Sequence, residues 1–272
     1  MFKWLLLFAG AGFFYLWIKG KKQAKLDSEN TRDTNKNKPK KAIDPEIMVQ
    51  CQYCKLHLPE SEALAHDSRF YCSKEHLHSL DAFGWIGDAD WRISPNQDAR
   101  PDNIEPDLAV IHHISLPPGE FKNQSSSHNI VHFFQNKLDP NGHPYFLEIA
   151  DQKVSSHFLI TRSGELIQFV STQNKAWHAG KSSFFGREKC NDFSIGIELE
   201  GDGETPFEVA QYEILSKLIK KLAATYPNLQ FAGHSDIAPD RKTDPGIHFD
   251  WKKFQKETGI SAEKLPFGLS PR

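Results

Sequence analysis

Apolar positions are unevenly spread along this chain, and their spacing predicts its elements. Leu108–Ser115 is an almost unbroken apolar run that ends in His112 and His113 before the turn Pro117-Pro118-Gly119, the pattern of a buried strand. Ser155–Arg162 and Glu165–Val170 alternate apolar and polar residues around Ser163-Gly164, which predicts a β-hairpin. Phe193–Glu200 reads as a second core strand, and Leu229–Ala232 as a short one. Between them Ile214, Leu215, Leu218, Ile219 and Leu222 recur at helical spacing up to Pro227. Thr205-Pro206-Phe207-Glu208 offers that helix an N-cap, a first-turn proline and a capping-box acid, and Lys217, Lys220 and Lys221 fall on its solvated face. Phe249–Phe254 predicts a short closing helix, and the tail, residues 259–272, carries no readable pattern.

The N-terminal pattern is different. Trp4–Ile18 is an uncharged apolar run of fifteen residues between Met1-Phe2-Lys3 and Lys19-Gly20-Lys21-Lys22. It is shorter than the roughly 17 to 25 residues of a spanning helix, but flanking lysines can snorkel, so residues 1–20 read as a membrane anchor. A cleaved signal peptide is the rival reading, and bulky Phe13–Ile18 leaves no small-residue cleavage site at the end of the run. Residues 21–46 are so poor in apolar side chains that they read as a disordered tether. Lys19, Lys21, Lys22 and Lys25 follow the run while only Lys3 precedes it, so the rest of the chain is expected on the cytoplasmic side of an inner membrane. The opposite orientation would place it in the periplasm.

Composition narrows the partners. In 272 residues, 33 basic side chains oppose 35 acidic ones, so no basic field points to nucleic acid. A chain that is 39% hydrophobic supports one well-cored domain of about 150 to 200 residues, here residues 85–258, with smaller appendages. Three of the four cysteines cluster: Cys51-Gln52-Tyr53-Cys54 precedes Cys72-Ser73-Lys74-Glu75-His76. A C-x2-C knuckle with C-x3-H supplies the four ligands of a closed tetrahedral zinc site, so residues 47–80 read as a small zinc-ribbon-like module. The bland alternative is three buried thiols and an exposed histidine. His57 and His78 read as bystanders, although spacing alone also lets His78 take the place of His76.

The most informative stretch is Gly233–Gly246, which packs an imidazole, an ammonium and several carboxylates into a short loop with two prolines. Its preceding strand would present His234 at its end and the loop would return Lys242 and Asp244 toward it. An imidazole and a carboxylate are two of the three protein ligands of a catalytic zinc site, and either His112 or His113 at the end of its own strand could be the third. Glu198 and Glu200 share one strand; Glu200, beside Gly201-Asp202-Gly203, can reach water, whereas Glu198 sits between Ile197 and Leu199, where burial raises a carboxyl pKa as a general acid/base requires. The alternative is a buried carboxylate that is simply hydrogen-bonded, and position alone does not decide between them. Trp177-His178-Ala179-Gly180 suits the wall of a groove.

Together Val110–Phe121, Ala176–Gly180, Cys190–Gly201 and the His234–Gly246 loop resemble, in order, the zinc-dependent anhydro-N-acetylmuramyl-L-alanine amidases of bacterial cell-wall recycling. The resemblance implies an α/β (α+β) fold, a mixed β-sheet flanked by helices shared with peptidoglycan-recognition proteins and phage amidases. It implies zinc ligands at His112, His234 and Asp244, the acid/base at Glu198 and an oxyanion partner at Lys242. It also implies substrate contacts at His113, Trp177, His178 and Lys189, with peptidoglycan fragments as substrates. Two positions depart from the family: His113 stands where asparagine is frequent, and Lys189 where an arginine meets the stem-peptide carboxylate, so a bidentate fork is given up. The expected cofactors are one catalytic and one structural zinc. The competing readings are an inactive peptidoglycan-binding module and a membrane-tethered interaction protein organised by its Cys/His segment.

Overall fold

The computed structural model describes Lys21, residues 46–121 and residues 125–270; the anchor and nearly all of the tether expected from the sequence lie outside the described residues. Among the described residues no helix is long and apolar enough to cross a membrane. Residues 48–272 form one unit. Its N-terminal part holds β1 (Met48–Gln50), β2 (His57–Pro59), β3 (Leu64–His66), β4 (Arg69–Tyr71) and α1 (Lys74–His78). Next come β5 (Asp90–Trp91), β6 (Gln97–Ala99), β7 (Leu108–Ile114), α2 (Ser125–Phe134), α3 (Phe146–Ile149), β8 (Phe158–Ile160) and β9 (Leu166–Gln168). The remainder is β10 (Asn174–Ala176), β11 (Ser183–Phe184), β12 (Arg187–Glu188), β13 (Ser194–Glu200), α4 (Val209–Thr225), β14 (Gln230–Gly233), α5 (His234–Ile237) and α6 (Trp251–Thr258).

The two most apolar stretches lie side by side at the centre of a six-stranded mixed sheet of order β14-β7-β13-β8-β9-β5. β8 and β9 are its antiparallel hairpin and the other neighbours run parallel. Central parallel strands are covered on both faces, hence their continuous apolar composition. Alternation sorts their side chains. Ala109, Ile111, Ile195, Ile197 and Leu199 pack with Leu215, Leu218, Ile219 and Leu222 of α4 and with Trp251 and Phe254 of α6. The opposite face is covered at two places: Leu108 and Val110 pack with Phe193, Ala232 and Ile237, while Leu159, Ile167 and Phe169 pack with Phe133, Phe134, Phe146 and Ile149 of the α2–α3 side. His112 and Glu198, paired in register on adjacent strands, stand on this face between the two clusters.

Several expectations shift by a turn or a face. The long helix starts at Val209, with Glu208 as its N-cap and the Glu208 N–H donating to Gln211 Oε1 at 3.0 Å. Thr205 does not cap it, because its N–H and hydroxyl both donate to Asp202 at 2.8 and 3.3 Å. The closing helix likewise starts later, at Trp251, where the Asp250 carboxylate accepts from the N–H groups of Lys252 and Lys253, and it ends at Gly259 with φ +74°. Lys221 is not on a solvated face: its ammonium donates to Asp88 Oδ1 at 2.9 Å. Glu200 does not reach water either; it is buried and accepts from the Arg162 N–H at 2.9 Å. The tail is anchored, with Leu265 in the core.

Candidate active site

β7 ends by presenting His112, and β14 runs directly into α5, whose first residue is His234. The following loop folds back because Lys242 N–H donates to Ala238 O at 3.0 Å and Ser235 N–H donates to Asp244 O at 2.8 Å. Gly233 is needed at the joint, since a Cβ there would lie 2.7 Å from Pro245 Cδ. Three ligand atoms thereby converge: His112 Nδ1 and His234 Nδ1 are 3.0 Å apart, and Asp244 Oδ2 lies 2.8 Å from the first and 3.0 Å from the second.

The protons on these rings follow from their outer partners. Ser194 donates its hydroxyl to Cys190 O at 2.6 Å, so its oxygen accepts from His178 Nε2–H at 3.0 Å. His178 Nδ1 is then bare and accepts from His112 Nε2–H at 2.9 Å. His234 Nε2 faces the carbonyl of Ala179 at 3.2 Å, which can only accept, so that nitrogen also carries its proton. Both Nδ1 lone pairs therefore point at each other and at a carboxylate. Protonation does not relieve the clash for His112, because burial and then His234 press its pKa down to about 4. Two imidazole nitrogens and a carboxylate oxygen gathered this closely are the donor set of a zinc site that keeps a position open.

His178, expected as a groove-wall contact, lines the cleft and also accepts from His112. Its loop is held by Asn191 Oδ1, which accepts from the N–H groups of His178 and Ala179 at 3.1 and 2.8 Å. Gly196, in the middle of β13, makes the room: a Cβ there would meet His178 Cγ at 2.5 Å. Glu198, two residues on, is 8% exposed and its buried Oε2 has no hydrogen-bond partner. Burial foremost, then the Asp244 charge, raises its pKa well above the usual value, and Lys242 only partly offsets them.

These groups line a cleft of about 430 Å³ that also takes in Lys242, Arg241, His113, Trp177 and an apolar wall that includes Phe133, Phe134, Tyr145 and Ile149. His113 is on the opposite face from His112 and reaches only the rim, against Gly203, where a Cβ would lie 2.7 Å from Nε2. Trp177 donates its indole N–H to Asp98 at 2.9 Å. Lys189 is exposed, in a left-handed backbone conformation (φ +59°), and is not among the residues lining the cleft. Arg241, not singled out from the sequence, donates to Ala179 O at 2.7 Å and Lys181 O at 2.9 Å, bracing the loop beside His234. A larger groove of about 780 Å³, lined by residues such as His66, Asp88, His132 and Lys217, brings together no such set of donors. The four expected ligands of the other cluster, Cys51, Cys54, Cys72 and His76, do come together, away from the cleft.

The same residues carry the comparisons with known proteins. The profile of the N-acetylmuramoyl-L-alanine amidase family (Amidase_2) matches residues 102–247. The 1,6-anhydro-N-acetylmuramyl-L-alanine amidase AmpD of Salmonella typhimurium is 48% identical over 183 residues, 66% of this chain and 96% of the relative. That of Haemophilus influenzae is 50% identical over 59% of this chain and 87% of its own length. A crystal structure of an AmpD derivative, 48% identical, superposes with a TM-score of 0.62 over 64% of this chain and 97% of the other. The chain belongs to the N-acetylmuramoyl-L-alanine amidase family and is a hydrolase of the linear amide bond that its family name describes.

Proposed function

We propose that this enzyme hydrolyses the amide between anhydro-N-acetylmuramic acid and L-alanine in peptidoglycan fragments returned for recycling, with zinc as its cofactor. The observation that supports the zinc dependence is the meeting of His112 Nδ1, His234 Nδ1 and Asp244 Oδ2 within about 3 Å of one another, beside Glu198, whose buried Oε2 has no hydrogen-bond partner. The substrate class is supported by the similarity to AmpD proteins, whose full name, 1,6-anhydro-N-acetylmuramyl-L-alanine amidase, describes that reaction.

His112, His234 and Asp244 would hold the ion, which when bound supplies Lewis acidity to the scissile carbonyl and to water. Glu198 takes the proton of the attacking water and hands it to the leaving amine; burial, which raises its pKa, favours its holding that proton in between. Lys242 donates to the oxyanion that develops at the former carbonyl. His178 keeps His112 in the right tautomer, and Trp177 with the apolar wall from Phe133 to Ile149 shields the reacting bond from bulk water. The basic residues that follow the N-terminal apolar run support a cytoplasmic orientation of the domain, where fragments returned for recycling would be met.

The test offers anhydromuramyl-peptide and intact muramyl-peptide side by side and reads the products by mass spectrometry. Free anhydromuramic acid and a peptide with a new L-alanine amino terminus are expected, with the anhydro substrate preferred. Faster cleavage of intact muramyl-peptide would move the substrate from recycled fragments to the wall.

A further inference from the structure

The second convergence of metal-ligating atoms lies in residues 48–80 and owes nothing to the amidase site. Cys54 Sγ is 3.7 Å from Cys72 Sγ, Cys51 Sγ is 3.8 Å from His76 Nδ1, and Cys72 Sγ is 3.0 Å from the same nitrogen. All four ligand atoms fall within 4.8 Å of one another. A tetrahedral ion with metal–sulfur bonds of about 2.3 Å and metal–nitrogen bonds of about 2.0 Å spaces two sulfurs by roughly 3.8 Å and sulfur and nitrogen by roughly 3.5 Å. A disulfide would bring two sulfurs to about 2.05 Å. Thiols are weak hydrogen-bonding groups, so mutual hydrogen bonds give little reason for three of them to gather around one imidazole.

Local structure aims each ligand. Lys55 N–H donates to Cys51 O at 2.9 Å and Lys55 adopts φ +64°, which closes the turn carrying Cys51 and Cys54. Ser73 accepts from the His76 N–H at 3.2 Å, fixing the start of α1, and the Tyr53 ring stacks on His76 at 4.3 Å. The apolar core available here is small: Cys51, Leu58 and Tyr71 are its buried members. Such a core does not support a segment of this size unaided, and a structural metal is the common remedy.

The segment is also seated on the domain by residues next to its ligands. Tyr71, adjacent to Cys72, is buried with its hydroxyl 3.5 Å from Gly87 O, and a Cβ at Gly87 would lie 2.3 Å from Leu77 O. Arg69 stacks 3.7 Å above the Trp91 ring and donates to Ala89 O at 3.2 Å. His78 and Lys221 of α4 share Asp88 at 2.8 and 2.9 Å. These contacts fall on residues 87–91, which include β5, the edge strand of the main sheet. An unguarded edge invites pairing with other chains, so covering it has a use. The AmpD of Salmonella is matched over 96% of its length while about a third of this chain is left over, so the relatives do without such an appendage.

We propose that Cys51, Cys54, Cys72 and His76 bind a structural zinc ion that clamps residues 48–80 onto the sheet edge at residues 87–91, apart from the cleft and without a part in hydrolysis. The test uses the full-length chain with cobalt(II) in place of zinc. Thiolate ligands give cobalt an intense near-ultraviolet charge-transfer absorption that a site of two histidines and an aspartate lacks. That band is expected in the wild type and in His234→Ala, and is expected to vanish in Cys54→Ser/Cys72→Ser, whose hydrolytic rate stays within about twofold. Because the double variant could misfold, wild-type zinc protein is also titrated with a mercurial. About one zinc per chain should be released, with amide exchange at residues 69–71 and 87–91 rising about tenfold or more and β7 and β13 unaffected. Absence of the band from wild type, or mercaptide formation without zinc release, overturns the site; zinc release with unchanged exchange overturns the clamp. The cobalt band, the zinc release and the amide exchange do not depend on the amidase reading.

Discussion

The chain gathers metal-ligating side chains twice, by opposite means. Cys51 and His76 are 25 positions apart and meet through two tight turns with almost no core behind them. His112 and His234 are 122 positions apart and meet because the adjacent strands β7 and β14 of a fully packed sheet deliver them to the same end. The first cluster offers four ligands, enough to close a tetrahedral site; the second offers three and faces a cleft. The difference teaches how the two respond to losing metal. On the assignments proposed above, the local cluster would depend on its ion for its shape, whereas the distant one is set by the fold and can leave a position for chemistry.

The largest effect is expected from His234→Ala. It should lose about one zinc per chain by elemental analysis and at least a thousandfold in rate, with the near-ultraviolet circular dichroism of the domain unchanged. Loss of the tertiary signal along with the metal would mean that this site is as fold-dependent on its ion as the cysteine cluster.

Glu198→Gln should keep its zinc while kcat falls by roughly a hundredfold or more. The metal-free proteins should rank the other way in stability. Burial raises the Glu198 pKa above its ordinary 4.5, so the folded state binds the proton more tightly than the unfolded chain. Wild type therefore loses stability as pH rises from about 4.5 toward the higher folded value, and the glutamine variant does not. Denaturant midpoints at pH 4 and pH 7 should converge at the lower pH and favour the variant at the higher one.

Removing a ring outside the ligand set should have a smaller effect. His178→Ala leaves His112 without the acceptor that fixes its tautomer, so zinc affinity measured by competition should drop about ten- to a hundredfold, and excess zinc should restore most of the rate. Gly196→Ala should imitate it, because its Cβ displaces the same ring. A loss of rate that excess zinc does not restore would mean that His178 acts on substrate.

Asp88→Asn is the mildest. Burial raises its carboxyl pKa, but Lys221 and then His78 outweigh this and hold it below the ordinary 3.8. Its contribution is thus complete above that pH and fades as pH falls through the lower folded value. The variant should unfold at a temperature a few degrees lower at pH 7, a loss of about 1 kcal/mol, with hydrolysis unchanged and with the gap closing in acid.

Much of this is legible in the residues alone, and the exceptions have physical causes. Apolar runs locate β7, β13 and β14, since buried parallel strands must be continuous in hydrophobicity. The pairing of His112 with Glu198 is not legible, because register between strands 86 positions apart is a property of the whole sheet. Nor is the burial of Glu200, which depends on Arg162 arriving from the hairpin with an N–H to donate. The cap of α4 is misplaced from sequence because Asp202 competes for Thr205. The chain His112–His178–Ser194 has only one local sign, a glycine at position 196 in the middle of a core strand, and glycine in such a place marks close approach by another group. The cysteine cluster is legible from spacing, while its seat on residues 87–91 is not.

The decisive measurement is hydrolysis of anhydromuramyl-peptide by full-length protein stripped of metal by exhaustive chelation and verified empty. No turnover is expected until zinc is returned, and activity should then recover as the His112–His234–Asp244 site fills. Unchanged turnover by the verified metal-free protein would contradict the assignment of that site.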